Sequence, residues 1–208
     1  MAVTISLNQL GKRYRNDWIF RNIDYTFVAG ATYAILGANG SGKSTLLRII
    51  AGMQHPNKGQ LKYLFDDKKE VNPESIHEYV AYAAPGMELI EEMTLKEFLH
   101  FHFTFKKPWA KMSVAEITAG MGLERVQHKR ITEYSSGMKQ RVKLAQAFFS
   151  DCPLLLLDEP CSNLDAQGVA LYQSWLQQYT NDRTVIIASN DSREYETAMA
   201  SFSIEDYK

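Results

Sequence analysis

The chain has 208 residues, 45% hydrophobic and 23% charged, with a formal net charge of −1. That size holds one domain with a sizeable core, and the balanced charge carries no strong pull toward nucleic acid or an anionic membrane. The two cysteines, Cys152 and Cys161, do not form a metal-ligand spacing, and so few point to a reducing compartment. The opening MAVTISLNQL lacks the basic start and apolar run of a signal peptide. No apolar stretch is long enough to span a bilayer, so any membrane role is expected to run through a partner.

In chain order, residues 3–7 alternate apolar and polar side chains and read as a half-exposed strand. Residues 23–28 and 31–36 read as two more strands joined at Gly30. Residues 37–45, GANGSGKST, form a glycine loop, and the helix after it ends near Gly52. A turn signal at 55–59 precedes expected strands over 60–65 and 78–83. From Thr94 the pattern turns helical, with Leu95, Phe98, Leu99 and Phe103 on one face, and Val114, Ile117 and Met121 suggest a second helix. Phe98, Phe101, Phe103, Phe105 and Trp109 either build a small helical core or dock a partner. Residues 136–149 read as helix, 153–157 as a fully buried strand, 166–179 as helix and 183–189 as strand. That alternation predicts a parallel, doubly wound sheet.

Two stretches carry chemistry. Gly37, Gly42, Lys43 and Ser44 occupy the fixed places of G-x-x-x-x-G-K-[ST], between an expected strand and an expected helix. Gly37, Gly40 and Gly42 let backbone N–H groups approach phosphate oxygens, and the helix that follows aims its positive end at the same anion. Lys43 can reach the β- and γ-phosphates, and the Ser44 hydroxyl can bind Mg²⁺. Asn39, Ser41 and Thr45 complete the cradle. Downstream, Leu154-Leu155-Leu156-Leu157-Asp158-Glu159 places carboxylates at the end of a buried strand, where such sheets bind ligands. There Asp158 would hold Mg²⁺, and Glu159 would orient or deprotonate an attacking water.

With Tyr134-Ser135-Ser136-Gly137-Met138-Lys139-Gln140-Arg141 added, the whole chain resembles the ATP-binding subunit of an ATP-binding-cassette (ABC) transporter, of a bacterial kind. YSSGM stands where the family's LSGGQ signature belongs, and Cys161-Ser162-Asn163-Leu164-Asp165 looks like its D-loop. Tyr14 matches the family's adenine-stacking aromatic. The resemblance implies an α/β P-loop ATPase with a mainly parallel core sheet, an N-terminal antiparallel β-subdomain and a small helical subdomain near residues 88–135, all in one domain over 1–208. It implies ATP and Mg²⁺ as ligands and a head-to-tail dimer, a homodimer before a heterodimer. Each ATP is then sandwiched between the phosphate loop of one subunit and the signature of the other. Ser135 and the Gly137 backbone would reach the γ-phosphate across that interface, and Asp165 would join the nucleotide site. A separate membrane-spanning permease would dock near residues 85–92 and the Phe-rich helix, placing the subunit on the cytoplasmic face of the membrane. No nucleic acid is expected.

Three motifs depart from the family pattern. Ser136 and Met138 replace a glycine and a glutamine of the signature. No glutamine occurs over 78–92, and Ala84 or Pro85 stands at the Q-loop. Asn190 takes the place of the switch histidine; its amide can hydrogen-bond but cannot carry a proton near neutral pH. Asn190 either retains part of the histidine's role or caps the turn that follows its strand. Slow hydrolysis is therefore expected. Two other readings are a soluble ABC-type ATPase of translation or DNA maintenance, and a regulatory subunit with little turnover. YSSGM is more similar to exporter than to importer signatures.

Overall fold

The computed structural model describes residues 2–65 and 69–208. Strand β1 (Val3–Tyr14) pairs antiparallel with β2 (Asp17–Phe27) and with β4 (Lys58–Phe65), and β5 (Lys69–Val71) adds an edge, in the order β2-β1-β4-β5. Val3, Ile5 and Leu7 are buried, but so is Thr4, with Ser6 half-buried, so the exposed face expected for residues 3–7 is covered. The alternation then breaks at Asn8 and Gln9, which are both exposed. The strand does not end there. It bulges, with a register shift between Leu7 and Leu10 and with Gln9 at φ 48°. An extra residue in one strand reverses which side chains face the core, so the apolar pattern resumes at Leu10 and pairing continues to Tyr14.

The second sheet is parallel throughout, in the order β6-β7-β8-β3-β9. Its strands are β3 (Thr32–Leu36), β6 (Val80–Ala83), β7 (Leu154–Asp158), β8 (Thr184–Ala188) and β9 (Ala200–Ser203). Both faces are covered. Helix α1 (Lys43–Ile50) and the antiparallel sheet share one apolar cluster with Leu154, Leu156 and Ile186. On the other face α2 (Leu95–Phe105), α3 (Val114–Gly120), α4 (Ser136–Phe148) and α5 (Ala166–Tyr179) pack over Leu155, Leu157, Val185 and Ile187. This two-sided burial is why β7 reads as an unbroken leucine run. Each such leucine contributes about 1.5–3 kcal/mol through burial. Expected strand 78–83 starts later, because Pro73–Tyr79 forms a 3-10 turn capped by the Asn72 side chain. The short strands β5 and β9 had no alternating pattern long enough to announce them.

Capping boxes open α2, from Thr94 and Glu97, and α3, from Ser113 and Glu116. The phenylalanine run divides. Phe98 is buried and Phe103 packs on the core, while Phe101 and Phe105 are 42% and 74% exposed and meet edge to face at 5.2 Å. The fully buried Arg183 donates to the carbonyls of Phe148, at 2.9 Å, and Ser150, joining the end of α4 to the start of β8. Its guanidinium lies 3.9 Å from the centre of the Trp109 ring, and burial lowers its pKa to about 10.

Candidate functional site

The carboxyl ends of β3, β7 and β8 gather the polar side chains. Between Leu36 and Lys43 the loop turns through Gly37 at φ 147° and Gly42 at φ 109°. At Gly42 a Cβ would stand 2.5 Å from Ile19 Cγ2, so no other residue fits between this turn and β2. The loop wraps the Lys43 side chain, which is only 4% exposed and donates to the carbonyls of Gly37 at 2.6 Å and Ala38 at 3.1 Å. No carboxylate pairs with this buried ammonium among the described residues; only carbonyls hold it, which leaves its charge available to an anion. Ser41 Oγ is buried without a partner among the described residues.

Asp158 ends β7 and is 4% exposed. Burial raises its pKa; the Ser44 hydroxyl, Arg48 and Lys43 pull the other way, and Glu159 adds to the rise. Its Oδ1 is buried and has no hydrogen-bond partner among the described residues. Among the described residues no group of three or more His, Cys, Asp or Glu side chains could hold a metal by itself. A hydroxyl at Ser44 beside an unpartnered carboxylate oxygen suits Mg²⁺, which takes one or two protein oxygens and completes its shell with phosphates and water. Glu159 follows at φ 42°, with its N–H bonded to the Ala188 carbonyl at 2.9 Å. It lies between two cavities. One, of about 460 Å³, is lined by Ser44, Arg48, Tyr82, Asp158 and residues 84–87. The other, of about 270 Å³, is lined by Asn39, Cys161, Ser162 and residues 189–191 with Glu194.

In the larger cavity, residues 84–87 bring no polar side chain where the family has its glutamine; Arg48 and Tyr82 are the polar groups opposite Asp158. The Tyr82 hydroxyl is pushed up to about pKa 12, by burial first and then by the Asp158 charge. In the smaller cavity, Asn190 Nδ2 donates to Asn39 Oδ1 at 2.8 Å and so ties the end of β8 to the phosphate loop. It does not cap the turn after its strand. Asp191 does, accepting from Arg193 N at 3.0 Å. Sequence reasoning missed Glu194, a 4% exposed carboxylate that accepts from Cys161 N at 2.6 Å, with its pKa raised by burial. Nothing in an isolated Arg-Glu-Tyr run marks it as buried. Beside it the Cys161 thiol is pushed up to about 12, by burial and then by the Glu194 charge, so it stays protonated and inert.

Ser135, Gly137 and Asp165 gather around α4 instead. Ser135 caps that helix, its Oγ accepting from Met138 N at 3.3 Å. A Cβ on Gly137 would stand 3.0 Å from the Asn163 carbonyl, so the signature glycine is where the D-loop crosses. Gln140 donates to the Pro160 carbonyl at 2.9 Å, and Arg141 meets Asp165 at 3.1 Å. The Asp165 carboxylate also caps α5 through Gly168 N at 2.8 Å, and those contacts lower its pKa. The opposite edge of α4 reaches the Q-loop segment, with Lys139 on Glu91 at 2.6 Å and Lys143 on the Pro85 carbonyl at 2.5 Å. There a groove of about 570 Å³ is lined by residues 85–89, 91 and 92 with Arg130, Thr132, Lys139 and Lys143; the α2 phenylalanines do not line it. Tyr14 sits at the hairpin end of β1, 46% exposed, with its hydroxyl on Gln54 Oε1 at 3.1 Å and the Lys12 ammonium 5.4 Å from the ring centre. Its ring is thus held but open on the surface.

Comparison with known proteins gives a family. Residues 20–162 match the ABC transporter model. An uncharacterized ABC transporter ATP-binding protein of Bacillus subtilis is 30% identical over 91% of this chain and 87% of its own length. The cytochrome c biogenesis ATP-binding export protein CcmA of Rhizobium etli is 32% identical over 89% of this chain and 86% of its own. A sulfate/thiosulfate import ATP-binding protein of Synechococcus elongatus is 29% identical over 93% of this chain and 57% of its own. Among solved structures, a putative ABC transporter ATP-binding protein from Pyrococcus furiosus superposes with a TM-score of 0.81 at 21% identity, over 99% of both chains. A dimeric ATP-binding cassette in a post-hydrolysis state, bound to ADP and Pi, gives 0.81 at 21% over 96% of this chain and 93% of that one. The chain therefore belongs to the ATP-binding subunits of ABC transporters, ATPases whose hydrolysis of ATP powers transport through a membrane-spanning partner.

Proposed function

We propose that ATP binds with its phosphates on the N–H groups of the 37–45 loop, with Lys43 keeping the Gly37 carbonyl and turning its other ammonium protons to the β- and γ-phosphates. The Ser44 hydroxyl and Asp158 Oδ1 hold Mg²⁺, which neutralises charge on the phosphate oxygens. Glu159 orients the attacking water and takes its proton as the water oxygen bonds to the γ-phosphorus and the bond to the ADP oxygen breaks. Asn190 keeps an amide at the γ-phosphate side of the loop. The observation that carries the reading is Asp158 Oδ1, buried beside Ser44 with no partner among the described residues, next to a lysine that only carbonyls hold among them.

A second copy, head to tail, supplies Ser135 and Gly137. The Ser135 hydroxyl accepts its capping bond and still has its own proton to donate to a γ-phosphate. Asp165 serves the nucleotide by fixing the loop beside it, since its carboxylate is already held by Gly168 and Arg141. Tyr14 stacks on adenine. The permease docks in the groove over residues 85–92, which places the subunit on the cytoplasmic face of the membrane. Cargo and direction belong to that partner; the relatives named above include one export and one import protein. The test is nucleotide titration of wild type and Lys43→Ala. Loss of most ATP affinity with an intact fold is expected, and equal affinity would remove this assignment.

A further inference from the structure

The last turn of the chain, Ile204–Tyr207, lies against the phosphate loop. A Cβ on Gly37 would stand 2.8 Å from Ile204 Cγ2, so the two segments are in van der Waals contact. Beside that contact Glu205 Oε1 accepts from the Ala38 N–H at 2.7 Å. The carbonyl of the same peptide unit, that of Gly37, accepts from Lys43 Nζ at 2.6 Å. A trans peptide directs its N–H and C=O to opposite sides. One amide is thus gripped at both ends, by a carboxylate on its positive end and an ammonium on its negative end. That is the favourable alignment for its dipole of about 3.5 D.

We propose that Glu205 is a positioning residue for Lys43: its carboxylate pins the Gly37–Ala38 peptide whose carbonyl holds the lysine ammonium. The peptide needs pinning because it follows a glycine at φ 147°, where backbone rotation meets little steric resistance. A flipped peptide would carry the carbonyl away from Lys43 and would have to be righted on binding, which weakens affinity. Lys208 supports the same loop one turn on, donating to the Ser41 carbonyl at 2.7 Å. The proposal rests on Lys43 being the phosphate-binding lysine.

The test compares Glu205→Ala, which removes the acceptor, with Glu205→Gln, which keeps an oxygen there without charge. In nucleotide-free protein, hydrogen exchange at the Ala38 amide is expected to be at least about tenfold faster in Glu205→Ala than in wild type and little changed in Glu205→Gln. Titration with Mg-ATP should give about fivefold weaker binding for Glu205→Ala and near-wild-type binding for Glu205→Gln. Lys43→Ala is titrated alongside. Normal binding by Glu205→Ala beside a defective Lys43→Ala overturns this inference and leaves the site assignment standing. Normal binding by Lys43→Ala removes the site assignment, and the inference with it. Tighter binding by either Glu205 variant also overturns it, because the carboxylate would then be repelling the phosphates.

Discussion

Asn190 is the side chain proposed to keep part of a lost histidine's role. Its amide cannot carry a proton, yet it is held by Asn39 at the phosphate loop, on the wall of the cavity that Glu159 shares. If one amide bond reaches the γ-phosphate in the transition state, Asn190→Ala should raise the barrier by about 1–3 kcal/mol. Single-turnover hydrolysis by wild type, Asn190→Ala and Asn190→His checks this. Equal rates in all three, with Glu159→Gln inactive, would leave Asn190 as a loop anchor only. At this scale the sequence was informative where chemistry is local. Lys43, Ser44, Asp158 and Glu159 follow from fixed spacings. Glu194 and Arg48 do not, because their surroundings are assembled from segments far apart in the chain.

Helix α2 joins two structural demands, a capped start and a buried end. Its His102 ring meets Ser150 Oγ at 2.9 Å, while that hydroxyl donates to the Gln146 carbonyl, so His102 donates from Nε2. Burial lowers its pKa from 6.5 to about 4. The unfolded chain therefore binds a proton at a higher pH than the folded one. Stability is full above about pH 6.5 and is lost as pH falls toward about 4, by roughly 1–3 kcal/mol. Chemical denaturation across that range should show a shallower acid loss in His102→Gln, which keeps a donor for Ser150. An unchanged slope would place the acid-sensitive group elsewhere. Element identity was largely legible, since α4, α5, β7 and β8 fall where periodicity puts them. Element extent was not, wherever a bulge interrupts the period, as at Gln9 in β1, or where a strand is as short as β9.

For the whole molecule, the signature and the phosphate loop lie on different segments that a second copy would bring together. ATP then acts as a ligand of the dimeric state. Glu159→Gln with ATP and Mg²⁺ is expected to run as a dimer in size-exclusion chromatography with light scattering, and wild type without nucleotide as a monomer or weak dimer. A Glu159→Gln protein that stays monomeric with ATP bound would count against the sandwich. The overall architecture could be read in advance because each motif sits at a strand end or helix start that its own sequence specifies. The braces that α4 extends to Pro85 and Glu91 on one side and to Pro160 and Asp165 on the other could not. They depend on helix–loop packing that no local pattern encodes.

The backbone of Glu159, at φ 42° and fastened to the Ala188 carbonyl, has a consequence for engineering. A side chain in that region is strained by about 1 kcal/mol or more, and glycine is not. Glu159→Gly and Glu159→Gln should both stop hydrolysis, and because glycine relieves the strain but costs about 0.5–1 kcal/mol of unfolded-chain entropy, the glycine variant should melt no lower than the glutamine one. If so, the strained angle is kept for the carboxylate alone, and a melting screen would pass the glycine variant as sound while only an activity assay would expose it as a dead enzyme.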